Sequence, residues 1–269
     1  MKEYVFDIQV YQGGITPEGK ISPGWHSARI YAIAEHYGLA NALAAHTQGD
    51  PGTLGKPVPD NFFKGKKILE VGCGSAAMGA FAYSMGAHVT VSDARQEHID
   101  VINERLPQLK SLVVDSENTT WPYEEEKYDI IIHVGLLYHL SNPGENLKMI
   151  SERCDTLILE SEVIDSDNPE HLILRSEETD WDKGAWGQAF NGIGSAPSYA
   201  FVESHLEEYG MQYTSPPHET LRILSAQEGM DYVWERKNAD ALPTTDVHRS
   251  LSAHYGGHKR AWWFCEKKK

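Results

Sequence analysis

Positive charge is what this sequence most lacks. Its 269 residues carry 24 Lys plus Arg against 39 Asp plus Glu, a formal net charge of −15 with histidine neutral. The only dense basic run is Lys267-Lys268-Lys269. An acidic surface repels a phosphate backbone, so nucleic acid is not the expected partner. Cysteine is scarce too: Cys73, Cys154 and Cys265 lie far apart and form no C-x-x-C pair. That excludes a disulfide framework and a cysteine-based zinc site, and predicts reduced thiols. No apolar run reaches the roughly 18 residues of a membrane helix. Met1-Lys2-Glu3-Tyr4 has neither the basic flank nor the apolar stretch of a signal peptide. A cytoplasmic, soluble protein with no membrane partner is expected. His248, His254 and His258, with Asp246, cluster near the C-terminus, but they follow no standard ligand pattern, so no metal is predicted.

A core, by contrast, is well supplied, with 41% hydrophobic and 10% aromatic residues. A chain of this length typically buries about 70–75% of its unfolded surface, and one large domain is expected. Glycine and proline punctuate residues 1–60 and leave one helical stretch near 27–45. Residues 1–60 therefore read as an N-terminal helical cap, and 61–269 as the main domain. From Lys66 onward, short apolar runs alternate with amphipathic segments: Ile68–Val71, Val89–Val91, Leu112–Val114, Ile130–Ile132 and Leu157–Leu159. Helices are predicted at about 75–86, 96–105 and 143–153, the last opened by Pro143. This is a βαβ series, which implies an α/β, Rossmann-like fold: a mostly parallel sheet with helices on both faces and a ligand site beyond the strands' carboxyl ends. Residues from about 165 to 197 read as an irregular acidic and Trp/Gly-rich insertion. A helix at 198–209 and strands at Thr220–Leu224 and Arg260–Glu266 follow.

The first strand runs straight into Glu70-Val71-Gly72-Cys73-Gly74-Ser75-Ala76-Ala77. Glycines there permit a tight turn and close approach of a ligand to main-chain N–H groups. Gly72, Gly74 and Ala77 also satisfy the dinucleotide fingerprint, with Asp93 at about the ribose-binding distance. Charge separates the two readings, because a carboxylate at Glu70 opposes a pyrophosphate and suits a cation. S-adenosylmethionine is such a cation, carrying a sulfonium and an ammonium and no phosphate. Three acids follow strands one, two and three in order: Glu70 for the methionine end, Asp93 with Ala94 for the ribose, and Asp115 with Ser116 for the adenine amine. Gly135 closes the set of cofactor candidates. Taken singly, each acid could also be a loop carboxylate or a helix cap.

Ile68-Leu69-Glu70-Val71-Gly72-Cys73-Gly74 resembles the first motif of the class I S-adenosylmethionine-dependent methyltransferases, over roughly residues 60 to 165. The resemblance implies a seven-stranded sheet whose last strand is antiparallel, S-adenosylmethionine as cofactor, and in-line displacement at its methyl carbon. After the fourth strand, Gly135-Leu136-Leu137-Tyr138-His139 makes His139 the candidate general base and Tyr138 a wall of the methyl pocket. This stretch, with Lys259-Arg260-Ala261, also resembles the wobble-uridine transferases that use carboxy-S-adenosylmethionine, in which residues matching Tyr138 and Arg260 help to hold the extra carboxylate. The acidic balance and Leu140, where that branch carries arginine, depart from it. Trp25, Trp186 and Tyr199, with Tyr138 and Arg260, are the candidate contacts for a small-molecule acceptor, since large rings with a polar edge suit an amphipathic organic ligand. The acidic run Glu177–Asp182 reads as a solvated loop. The expected activity is methyl transfer to an oxygen or nitrogen of that acceptor, with a tRNA transferase and a non-catalytic cofactor-binding module as alternatives.

Overall fold

The computed structural model describes residues 25–39, 61–118, 120–180, 187–216 and 258–268. Helix α1 spans Trp25–His36. A regular alternation follows: β1 Lys67–Val71, α2 Ala77–Ser84, β2 His88–Asp93, α3 Gln96–Arg105, β3 Lys110–Val113 and β4 Tyr128–Val134. A 3-10 turn at Leu137–His139 leads into α4 Pro143–Glu152 and β5 Cys154–Ile164. The chain ends through β6 Leu172–Ser176, β7 Ile193–Pro197, α5 Tyr199–Glu208, β8 Met211–Thr214 and β9 His258–Lys267.

Seven strands form one sheet in the order β3-β2-β1-β4-β5-β9-β8. Pairings from β3 to β5 are parallel, and β9 runs antiparallel to both β5 and β8. Parallel strands covered on both faces need apolar residues on both sides, which is why the predicted strands read as continuous apolar runs. Chain direction away from the sheet reverses between β1 and β4, and in such sheets ligands bind in the crevice at that switch point.

Two cores result. On one face Ile30, Ile33, Phe63, Phe81, Trp262 and Phe264 pack together. On the other lie Leu147, Ile150, Val202, Leu206 and Trp263. Adjacent Trp262 and Trp263 thus fill opposite faces, as the two-residue period of a strand requires. The small residues of α2 let it lie close on the sheet: a Cβ at Gly79 would stand 2.7 Å from both Glu70 Oε2 and Val91 Cγ1.

Several expectations change. The strand that pairs with β9 at the edge is Met211–Thr214, whose backbone bonds complete the ladder; Thr220–Leu224 lies outside the described residues. The insertion is not irregular throughout, because β6 and β7 pair antiparallel. Of the proposed N-terminal cap, α1 is a core element through Ile30 and Ile33, and its neighbours to residue 24 lie outside the described residues. Among the described residues no helix is long and apolar enough to cross a membrane. Cys73, Cys154 and Cys265 are buried free thiols.

Candidate active site

The glycine loop between β1 and α2 is built as a turn of left-handed residues: Gly72 at φ 58°, Gly74 at φ 51° and Ala76 at φ 58°. Ala77, the third position of the fingerprint, is the first residue of α2, where a small side chain lets helix and strand pack closely. A Cβ at Gly74 would meet nothing within 4 Å, so the loop borders open space where a ligand can approach its backbone.

The three strand-end acids differ. Glu70 is 1% exposed, and its Oε2 accepts a 2.7 Å hydrogen bond from the backbone N–H of Gly79. Its Oε1 is buried without a hydrogen-bond partner among the described residues. Burial, opposed by the Gly79 N–H and reinforced by Asp93, pushes its pKa up to about 8. The sequence argument for Glu70 rested on a carboxylate charge, and a cation reaching it must first stabilise that charge. Asp93 is the more firmly ionised acid. Burial works against its charge, but His98 and the N–H groups of Arg95 and Gly74 outweigh it and hold the pKa below the ordinary value. Gly74 N donates to Oδ2 at 2.9 Å and Arg95 N to Oδ1 at 3.0 Å. Asp93 therefore joins the glycine loop to the end of β2. Ala94, half-buried, is the next residue. Asp115 turns on itself, its Oδ1 accepting from Glu117 N at 3.0 Å. Ser116 is held from behind, its carbonyl accepting from Asn146 Nδ2 at 2.9 Å. Asn146 in turn accepts at Oδ1 from His133 Nε2, 2.9 Å away. Cys73 is buried beneath the loop, its N–H bonded to Ser92 O at 2.9 Å.

Beyond β4 the partners are side chains. Gly135, at φ 75°, lies under Arg29, whose Nη2 would stand 2.7 Å from a Cβ there. Arg29 Nη2 donates to Glu160 Oε2 at 2.9 Å. Arg260 Nη1 donates to Glu160 Oε1 at 3.0 Å, and its Nη2 to the Tyr138 hydroxyl at 2.6 Å. Tyr138 and Arg260 thus meet. The carboxylate in their company is Glu160, supplied by the chain itself.

The rings of His139 and Tyr138 are in contact, tilted by 48° with centroids 4.1 Å apart. Glu177, read from the sequence as part of a solvated loop, is instead the partner of His139: Nδ1 to Oε2 is 2.6 Å, with 5% of the Glu177 side chain exposed. No signal within the Glu177–Asp182 run distinguished it from its neighbours, because the contact spans 38 residues. Burial, helped by Arg260 and Arg175 and opposed by Glu177, holds the His139 pKa below the ordinary imidazole value, so the ring is neutral near neutral pH.

The acceptor candidates divide. Tyr199 packs in the core, 2% exposed, with Trp263 at 6.1 Å; its acceptor role is withdrawn because the ring faces protein. Trp25 opens α1 and His258 opens β9, but their side chains, like Trp186, His248 and His254, lie outside the described residues. The described part of the insertion leans over the site at two further points. Arg95 Nη2 donates to Gln188 O at 2.8 Å. Asn191 Nδ2 reaches Glu117 Oε1 at 3.5 Å. Among the described residues no group of His, Cys, Asp and Glu is arranged to hold a metal ion.

Residues 68–157 match the family model described as "Methyltransferase domain". The chain is similar to the ubiquinone biosynthesis O-methyltransferase of Roseobacter denitrificans, 30% identical over 97 residues, 35% of this chain and 38% of that protein. It is similar also to the protein N-lysine methyltransferase METTL21A of Danio rerio, 30% identical over 84 residues, 28% of this chain and 38% of that protein. The matched stretch spans less than half the length of either relative. Among solved structures, the N-terminal domain of EvdMO1 with SAH bound shares the fold at a TM-score of 0.57 and 14% identity, over 94% of this chain and 85% of that one.

Proposed function

We propose that this chain, whose residues 68–157 match a methyltransferase domain, transfers a methyl group from S-adenosylmethionine to an oxygen of a small organic molecule. One juxtaposition carries the reading. The glycine loop and ionised Asp93 lie at the ends of β1 and β2, and Tyr138-His139 lies at the end of β4, the other neighbour of β1.

The described residues fit the cofactor. The backbone of Gly74 borders open space, Asp93 offers a carboxylate to ribose hydroxyls, and Ala94, Asp115 and Ser116 flank the adenine side. Glu70, with an unpartnered buried oxygen, braces α2 beneath the methionine end, and Gly135 keeps the β4 loop close. When bound, S-adenosylmethionine would supply an electrophilic methyl carbon, its bond to the cationic sulfur breaking with the electron pair left on sulfur as the acceptor oxygen bonds to carbon. His139 takes the hydroxyl proton at its free ring nitrogen, and Tyr138 walls the space beside it. Oxygen is favoured by the O-methyltransferase named among the relatives, and a small acceptor by the charge of −15.

The test is incubation with methyl-labelled S-adenosylmethionine and a panel of phenols, catechols and amines, read by mass spectrometry. Labelled methyl ethers are expected. Label confined to amines or to tRNA, or no transfer to any member, would overturn the proposal. In parallel, Asp93→Ala is expected to weaken S-adenosylmethionine binding by roughly 10- to 100-fold in calorimetry, the scale of hydrogen bonds to a charged group.

A further inference from the structure

The carboxylate of Glu177 has contacts that a solvated loop acid would lack. Its Oε2 lies 2.6 Å from His139 Nδ1 and also accepts from Ala189 N at 2.6 Å. Its Oε1 accepts from Arg175 Nε at 3.3 Å. Arg175 is itself braced by Glu162, through Nη1 at 2.6 Å and Nη2 at 3.3 Å. Burial alone would favour the protonated acid, but His139, the Ala189 N–H and Arg175 hold the pKa of Glu177 below its ordinary value. An ionised carboxylate can only accept, so the shared proton belongs to His139 Nδ1.

A second, independent observation shows that the fold makes room for this group. Gly194 lies on β7 opposite Arg175, and its φ is outside the left-handed region that would demand glycine. A Cβ at Gly194 would fall 2.0 Å from Glu177 Oε1, 2.7 Å from its Cδ and 2.8 Å from the carbonyl oxygen of Tyr138. Any side chain there would expel the carboxylate or push on the loop that carries Tyr138 and His139. The glycine serves here as a seat.

We propose that Glu177 is a positioning residue that fixes the proton of His139 on Nδ1 and leaves Nε2 as the proton-accepting atom, with Gly194 as its seat. The inference rests on the reading of His139 as the base. It gives the β6–β7 insertion a chemical duty besides roofing the site. A neutral imidazole with one nitrogen committed to a carboxylate presents its other nitrogen in a single tautomer and orientation. The charged and titratable groups facing His139 are Glu177 and Arg175 from the insertion, Arg260 from β9 and Tyr138 from its own turn.

The test is nitrogen-15 NMR of the histidine rings in the full chain, recorded against pH for wild type, Glu177→Gln, Glu177→Asp and Gly194→Ala. In wild type, His139 is expected as the Nδ1–H tautomer. Glu177→Gln is expected to abolish the single tautomer and lower the His139 pKa further, since the carboxylate opposes burial. Glu177→Asp should restore part of the wild-type signature, and Gly194→Ala should reproduce the Gln variant. On an acceptor from the panel, Glu177→Gln should lower kcat by roughly 10- to 100-fold with KM little changed and with its acid limb displaced. Identical His139 signals in wild type and the Gln variant would overturn the proposal. So would altered signals with an unchanged rate and pH profile. If wild type methylates no acceptor yet shows the tautomer and loses it on Glu177→Gln, the assignment stands and the transferase reading falls.

Discussion

On the β1–β3 side of the site, the carboxylates of Glu70, Asp93 and Asp115 accept mainly from backbone N–H groups, those of Gly79, Gly74, Arg95 and Glu117, with His98 beside Asp93 as the side-chain exception. On the β5–β9 side, Glu160, Glu162 and Glu177 accept mainly from side chains, those of Arg29, Arg260, Arg175 and His139. The first arrangement is made by local chain geometry, with partners 9, 19 and 2 residues away. The second is made by long-range packing, with separations of 131, 100 and 38 residues. Backbone donors survive substitution of the residue that carries them, whereas side-chain donors do not. The cofactor side should therefore tolerate changes of partner, and the chemistry side should be sensitive to each one.

The largest test of this contrast is Glu160. Its side chain is fully buried between Arg29 and Arg260, themselves 5% and 8% exposed. Removing one member of a buried ion network leaves charge in a low-dielectric interior, at a cost of about 3–5 kcal/mol. Glu160→Gln keeps the volume and removes the charge, and a loss on that scale is expected in urea denaturation. A loss below about 1 kcal/mol would mean that the guanidiniums are hydrated, and the contrast between the two sides would fail.

The same contrast explains what could be read in the chain before the structure. Strand ends, the glycine loop, α3 at Gln96–Arg105 and the opening of α4 by Pro143 are local features written in consecutive residues. Asp93 was placed correctly at a strand end because βαβ spacing determines where the strand stops. Glu177 was not distinguished, since its neighbours Glu178, Asp180 and Asp182 look alike in sequence and only folding selects the one that reaches His139. Tyr199 erred the other way. An aromatic near the insertion resembled a ligand wall, but the helix face that begins after Ser198 turns it toward Trp263.

Glu70 tests the backbone-held side next. Its folded pKa of about 8 lies above the ordinary 4.5 because burial disfavours the charge. A raised acid binds a proton more tightly when folded, so its stabilising contribution is full below pH 4.5 and is lost as pH rises through about 8. Glu70→Gln cannot ionise and keeps an acceptor for Gly79. Urea midpoints for wild type and variant should agree most closely near pH 4, and the variant should gain about 4 kcal/mol relative to wild type by pH 8. Parallel curves would show that Glu70 is ionised throughout, held by its backbone donors.

The smallest effect isolates the backbone itself. Ala76 adopts φ 58°, which costs an L-residue about 1–2 kcal/mol and glycine almost nothing. Its methyl is also fully buried, and losing a buried methyl costs about 0.8 kcal/mol while glycine adds about 0.5–1 kcal/mol of unfolded-chain entropy. These terms nearly cancel, so Ala76→Gly should lie close to wild type. Ala80, 1% exposed inside α2, bears the same two losses with no strain to relieve. Ala80→Gly should therefore be the less stable variant by about 1–2 kcal/mol, and the difference between the two midpoints measures the strain in the cofactor loop alone. Equal losses at the two positions would mean that Ala76 is unstrained, and that the loop owes its left-handed turn to Gly72 and Gly74.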